Sequence, residues 1–140
     1  MRKVYQVRGA LDVLAARLAA QQRFRIDPRL IERGRRAARG RNVEAMLDAD
    51  VAFHQAIYEA SGNPLIGETA QPHWQHLRRV MAAALSEEDL RISVWDEHEG
   101  ILRALEAGQV SEAEALCRGH AEQMADILTG RLKVVISRAA

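Results

Sequence analysis

The residues whose side chains are most capable of chemistry are Asp50 and His54, which lie four positions apart in the middle of the chain. Residues at this spacing share one face of a helix, so the carboxylate and the imidazole point the same way. The apolar residues Val43, Leu47 and Ile57 fall on that same face, which a core helix normally fills with leucine. A buried carboxylate is unfavourable unless it is paired or binds a metal. The segment therefore predicts a buried polar site.

Two further histidines, His98 and His120, each lie in an apolar row of their own helix. Neutral imidazoles with one carboxylate suit a borderline divalent ion, with zinc favoured and nickel, manganese or cobalt as alternatives. The single Cys117 argues against a thiolate site. One inward histidine is usually only a core residue, but four inward polar groups on three helices favour one divalent metal. The predicted ligands are Asp50, His54, His98 and His120.

The elements that must position these residues are helices. Ala, Leu, Arg and Glu are abundant, aromatic residues make up 4% of the chain, and Gly and Pro lie near segment edges. We expect one all-α domain over residues 1–140, folded as an antiparallel bundle of six to seven helices. Gly62 should end the third helix, Pro72 should kink or split the fourth, and a capping box at residues 86–89 should open the fifth. The predicted apolar stripe of the first helix, residues 3–21, is Val4, Val7, Leu11, Leu14 and Leu18.

Charge and hydropathy limit the partners. A formal net charge of +1 predicts no strong field for nucleic acid or an anionic membrane. Apolar runs are too short for a transmembrane helix, and the N-terminus lacks the apolar run of a signal peptide. A lone cysteine suits a reducing compartment, so we expect a cytoplasmic protein. The tail after Gly130 is apolar without a clear period and could extend the last helix or pack on a partner chain.

Five segments together resemble the FCD domain, the all-helical effector-binding domain of the FadR subfamily of GntR-type bacterial transcription regulators. They are Val7-Arg8-x-x-Leu11-Asp12, Asp50-x-x-Phe53-His54, Ser61-Gly62-Asn63-Pro64, Glu97-His98-x-x-Ile101-Leu102-x-Ala104-Leu105, and Ala113 to His120. The likeness covers nearly the whole chain. It departs from the family pattern at Asp12, where Glu is usual, and at Gly108-Gln109, where Gly-Asp is usual.

The resemblance implies that Asp50, His54, His98 and His120 hold a divalent ion and that a small organic acid binds beside it. It implies that Arg8 helps to bind the acid, and we assign Arg79 and Asn63 to the same effector site. It also implies a homodimer and a winged helix-turn-helix that binds DNA, which this chain lacks. The predicted function is metal-dependent sensing of a small carboxylate, without catalysis.

Three alternatives stay open at this point. The chain could be a metalloenzyme, a hydrolase or non-haem oxygenase, if Asp96, Glu97 or Glu99 turned inward to act as a general base. It could instead be a helical interaction domain with a structural metal. Finally, Arg8 lies at the margin of the first-helix stripe, and an equally open interpretation leaves it on the surface.

Overall fold

A computed structural model of the protein describes residues 2–85 and 87–139. For residue 83 and residues 131–139 it describes the backbone alone. The described residues form six helices. They are α1 (Arg2–Gln21), α2 (Arg29–Arg39), α3 (Val43–Ala60), α4 (Pro64–Ala84), α5 (Glu88–Glu106) and α6 (Val110–Ala139). The predicted all-α class is confirmed.

Helix α1 is the central element of the bundle, because it contacts α3, α4, α5 and α6 and packs most extensively on α6. Its contact with α6 is close at Gly9, where an added Cβ would lie 3.2 Å from the Cβ of Ala121. Small residues at such a crossing let two helix backbones approach each other. The position of α1 places the groups on its inner face close to these four helices.

The predicted stripe of α1 is wrong. Val7 is 47% exposed, and Val4, Leu11, Leu14 and Leu18 are only partly buried. The fully buried face is smaller and more polar, and its members are Tyr5, Arg8, Gly9, Asp12, Ala15, Ala16, Ala19 and Ala20. Alanine and glycine allow the close contact with α6, so the larger leucines are displaced to the flanks of the helix.

The apolar rows of the other site-bearing helices follow the sequence closely. In α5, Val94, His98, Ile101 and Leu105 are all buried. In α3, Asp50 and His54 are buried with Leu47 and Ile57. The 3.6-residue period was therefore sufficient to predict that these polar side chains face the interior.

The helix ends agree in part with the sequence. Gly62 ends α3 with φ +77°, as the glycine at that position predicts. Helix α4 continues through Pro72 without being split, so the described residues form six helices and not seven. The capping box at residues 86–89 includes Ser86, which lies outside the described residues. The apolar tail continues α6 to Ala139, although its side chains are likewise outside the description.

No helix within the described ranges is both long and apolar enough to cross a membrane.

Candidate metal and effector site

The four predicted metal ligands lie close together inside the bundle, with the three histidines as one group and Asp50 beside His54 and His98. Asp50 and His54 come from α3, His98 from α5 and His120 from α6, and all four are buried. One nitrogen from each imidazole lies within 4.8 Å of one nitrogen from each of the others. We call these four residues the histidine cluster.

The distances inside the histidine cluster suit ligands of one small ion. Nε2 of His98 lies 3.3 Å from Nε2 of His120 and 3.4 Å from Oδ1 of Asp50. Nε2 of His54 lies 3.7 Å from the same carboxylate oxygen. Bonds of about 2.0–2.1 Å at tetrahedral angles would separate two ligand atoms by roughly 3.3–3.4 Å. The donor set therefore fits a divalent transition metal in its chemistry and its spacing.

Burial sets the protonation of the cluster. It lowers the pKa of His54 and of His98 well below the usual 6.5, and the positive charge of Arg8 acts in the same direction. Both imidazoles are therefore neutral at neutral pH, as metal ligation requires. Burial also raises the pKa of Asp50 to about 6, against the opposing effect of Arg8. The carboxylate is thus mostly ionised at pH 7.

Aromatic rings and one carboxylate orient the imidazoles. Phe53, from the same motif as His54, stacks on His98 with ring centroids 4.2 Å apart. The edge of Trp95 meets His98 at 4.6 Å, and Trp95 itself lies against α2 at Gly34, where a Cβ would clash at 2.1 Å. Glu97 accepts a hydrogen bond from Nδ1 of His120. That bond leaves Nε2 of His120 free to face the cluster.

Arg8 lies inside the protein and not on its surface. It is 1% exposed, and its Nε donates to Oδ2 of Asp12 at 3.0 Å. Its Nη2 lies 3.3 Å from Nε2 of His54. The guanidinium carbon is 4.2 Å from the ring centroid of Trp74 and 5.0 Å from that of Tyr5. Of the two interpretations of Arg8 left open by the sequence, the surface one is wrong.

Asp12 is held from its other side as well. The hydroxyl of Tyr58 donates to Oδ1 of Asp12, and Nε1 of Trp74 donates to the hydroxyl oxygen of Tyr58 at 3.0 Å. We call Arg8, Asp12, Tyr58 and Trp74 the arginine network. Each of its buried polar side chains has a partner, so the guanidinium is fixed beside the histidine cluster.

A small cavity adjoins both groups. Its lining residues are Tyr5, Arg8, Ala38, Met46, Asp50, Met81, Leu85, Arg91, Val94, Trp95, His120 and Met124. The centre of a water molecule can occupy about 20 Å³ of this cavity, so the cavity has room for about one water. A small acid therefore needs side chains of the lining to move.

Two predicted effector residues lie elsewhere. Arg79 is exposed on α4, and the Asn63 side chain accepts a hydrogen bond from the Leu65 backbone at 3.1 Å, which caps α4. Neither lines the cavity described above. Asn63 has the capping role that an asparagine before Pro64 suggests.

Several residues at the site were missed from the sequence. Tyr5 lies three positions before Arg8 and Asp12 four positions after it, so the i, i+3, i+7 spacing placed all three on one face. Arg91, a second cation at the cavity, donates to the backbone carbonyls of Ala38 and Leu85 at 2.9 Å each. No periodic signal identifies Arg91, because its partners come from the ends of other helices.

Comparison with known proteins agrees with this architecture. The family model described as "FCD domain" matches residues 3–123. The chain is also 31% identical over 148 residues to the HTH-type transcriptional regulator LutR of Bacillus subtilis (strain 168). That alignment covers 93% of this chain and 63% of the relative, so the chain spans less than two thirds of the relative's length. The resemblance seen in the motifs is confirmed, and the chain belongs to the FCD domain family.

Proposed function

We propose that this domain binds one divalent transition metal through the histidine cluster and a small organic acid beside it, and that it serves as the effector-sensing domain of a GntR-type transcription regulator of the FadR subfamily. The observation that carries the proposal is the convergence of three buried imidazoles, with the Asp50 carboxylate beside two of them, next to a buried guanidinium. Zinc is the favoured ion, because imidazole and carboxylate ligands at these separations suit it.

Charge supports the pairing of metal and acid. The two buried groups contain one permanent positive charge, on Arg8, and two carboxylates, Asp12 and Asp50. Without a metal ion, these two buried groups together carry a net negative charge at neutral pH, which disfavours an anionic ligand. A divalent ion makes it net positive, and a buried positive charge favours an anionic ligand. Binding of the acid should therefore depend on the metal.

Arg8 is the protein group best placed to orient the acid. Its Nε and Nη2 each lie 3.0 Å from Oδ2 of Asp12, and the same Nη2 lies against His54. A guanidinium beside a metal can hold a carboxylate in a fixed orientation, since its donors are planar and directional. The role of Arg79 and Asn63 in effector binding remains a proposal to be tested, and their positions give it no support.

The enzyme alternative gains nothing from the surrounding carboxylates. Glu97 accepts the hydrogen bond of His120, while Asp96 and Glu99 pair with Arg35 at 2.9 and 2.6 Å. All three candidate bases are thus engaged with other residues. We therefore propose binding and not catalysis as the function of the site.

In a longer protein the domain would act on DNA through a winged helix-turn-helix; the Bacillus subtilis relative is named an HTH-type transcriptional regulator. Acid binding would then change the affinity for operator DNA.

We also propose a homodimer and a cytoplasmic location. The predicted apolar stripe of α1 is partly exposed, with Val7 at 47%, and it offers an apolar surface for a second copy of the chain. Light scattering at high concentration should show a dimer, and a monomer would contradict that part of the proposal.

Metal content gives the first test. Protein purified without chelators should hold about one divalent ion per chain by elemental mass spectrometry. His98→Ala and His120→Ala should reduce this to background, while His76→Ala should not, because His76 is exposed on α4. Background metal in the wild-type protein would overturn the proposal.

Acid binding gives the second test. Zinc-loaded and metal-free protein are titrated calorimetrically with a panel of small mono-, di- and tricarboxylates. Binding should require the metal and should weaken by roughly 10-fold or more in Arg8→Lys, which keeps the charge beside Asp12 but loses the planar donors. Arg79→Ala and Asn63→Ala are tested in parallel to decide their assignment. Equal binding by metal-free and zinc-loaded protein would contradict metal-dependent sensing.

A further inference from the structure

The hydroxyl of Tyr5 is a buried polar group that forms no hydrogen bond of standard geometry among the described residues, although the Arg8 guanidinium lies near it. Tyr5 is 3% exposed, and its hydroxyl oxygen is buried. A buried hydroxyl without a partner is unfavourable, and phenylalanine would occupy the same space without that cost. The hydroxyl therefore calls for a physical explanation.

Its surroundings are those of the proposed effector site. Tyr5 lines the cavity together with Arg8, Asp50 and His120. Burial raises the pKa of Tyr5 to about 12, and the charges of Arg8 and Asp50 are both close enough to modify that pKa. The hydroxyl is consequently protonated at neutral pH and can donate a hydrogen bond or accept one.

The cavity lining also has an apolar, deformable part. It includes Met46, Met81 and Met124, with Leu85 and Val94 beside them. Methionine side chains are unbranched and adapt to irregular shapes, so they can move aside for a ligand. The lining thus combines polar side chains of the proposed site with apolar side chains that can yield.

We propose that the Tyr5 hydroxyl is a specificity-determining group, which forms a hydrogen bond with an oxygen substituent on the carbon chain of the acid while Arg8 and the metal hold its carboxylate. The effector class is then a small acid with a hydroxyl or carbonyl group close to the carboxylate and a short apolar remainder against the methionines. This inference rests on the proposed function and adds to it a choice between acids.

The experiment compares acids that differ only by a hydroxyl group. Zinc-loaded wild-type protein and Tyr5→Phe are titrated calorimetrically with lactate and propionate, with malate and succinate, and with citrate and tricarballylate. In the wild type, the hydroxyl-bearing member of a bound pair should bind more tightly. Tyr5→Phe should weaken binding of that member by about 3- to 10-fold and leave the plain acid within about twofold, the effect of one neutral hydrogen bond.

Two measurements show whether the variant is intact. Its zinc content should equal that of the wild type, and its melting temperature should be unchanged or higher, because the substitution removes an unpaired hydroxyl. The plain acid then serves as an internal control within the same protein.

The outcomes separate this inference from the proposed function. If Tyr5→Phe keeps the wild-type preference for the hydroxyl-bearing acid, Tyr5 does not select the ligand and the inference is wrong. An equal loss for both members of each pair would also overturn it, because Tyr5 would then shape the site without discriminating. If no acid binds the zinc-loaded wild type, the proposed function itself fails, and the inference fails with it.

Discussion

The arginine network and the histidine cluster are neighbours, but they satisfy their polar atoms in different ways. In the arginine network, Trp74 donates to Tyr58, Tyr58 donates to Asp12, and Arg8 donates to Asp12. In the histidine cluster the closest approach is between two imidazole nitrogens 3.3 Å apart. The Nδ1 atom of His98 has no partner in the described part of the chain.

The difference indicates what each group is for. A buried ion pair whose hydrogen bonds are complete fixes the positions of its members and needs no ligand. Imidazole nitrogens and a carboxylate that lie close together in a buried space are instead a set of ligands that suits a divalent metal. We therefore regard the arginine network as the support that holds Arg8 in place, and the histidine cluster, together with Arg8 and the adjoining Tyr5, as the proposed binding surface.

The largest expected effect comes from breaking the arginine network at its charge pair. Asp12→Asn leaves the Arg8 guanidinium buried without a counter-ion and should destabilise the fold by about 3–5 kcal/mol in urea unfolding. Asp48→Asn is the matched control, since Asp48 pairs with Arg78 at the partly exposed surface, where a pair is worth about 1 kcal/mol or less. A similar cost for the two variants would mean that the network does not support the core as described.

The next effect tests whether the histidine cluster also depends on support. Glu97→Ala removes the acceptor that orients His120 and should weaken zinc binding by about 10- to 100-fold. Glu99→Ala provides the control two residues away, because Glu99 pairs with Arg35 and Arg103 outside the cluster. Competition titration with a chelating dye measures both constants. If the two variants bind zinc equally well, Glu97 is not a positioning residue.

The two buried tyrosines sharpen the comparison further. Tyr58→Phe leaves Asp12 and Trp74 each without one hydrogen bond and should lower the free energy of unfolding by about 1–3 kcal/mol. Tyr5→Phe deletes a hydroxyl that has no partner among the described residues and should leave that free energy unchanged or raise it. Denaturant melts of the metal-free proteins measure both. Equal destabilisation would show that the Tyr5 hydroxyl has a structural role.

The smallest effect is the pH dependence of the metal-free protein. Because the folded-state pKa values of His54 and His98 are depressed, the unfolded chain binds more protons below about pH 6.5, and stability falls on acidification. Asp50 opposes this between pH 6 and 3.8, since its folded-state pKa is raised to about 6. With two groups against one, stability should fall by on the order of 1 kcal/mol per pH unit below pH 6.

Chemical denaturation from pH 7 to 5 tests this sign. His98→Phe should flatten the dependence, because one depressed imidazole is then removed. A metal-free protein that gains stability on acidification would contradict the assignment of neutral, buried imidazoles.

The sequence alone determined the class of fold and showed that the predicted metal ligands face the interior. Helical periodicity is a local property, so the apolar neighbours of Asp50, His54, His98 and His120 were enough to place these residues inside. Helix-capping preferences are local too, and they placed Asn63 at a helix start and Gly62 at a helix end.

The tertiary structure decided which face of α1 is buried and which groups meet there. On α1, the leucine face and the neighbouring face of small and polar residues repeat with the same helical period. From the sequence alone the leucine face was predicted to be buried, because leucine is the more hydrophobic residue. The close packing of α1 against α6 at Gly9 instead selects the small residues, and it carries Tyr5, Arg8 and Asp12 into the interior. Contacts of this kind join residues far apart in the chain, such as Arg8 with His54, and no local pattern encodes them.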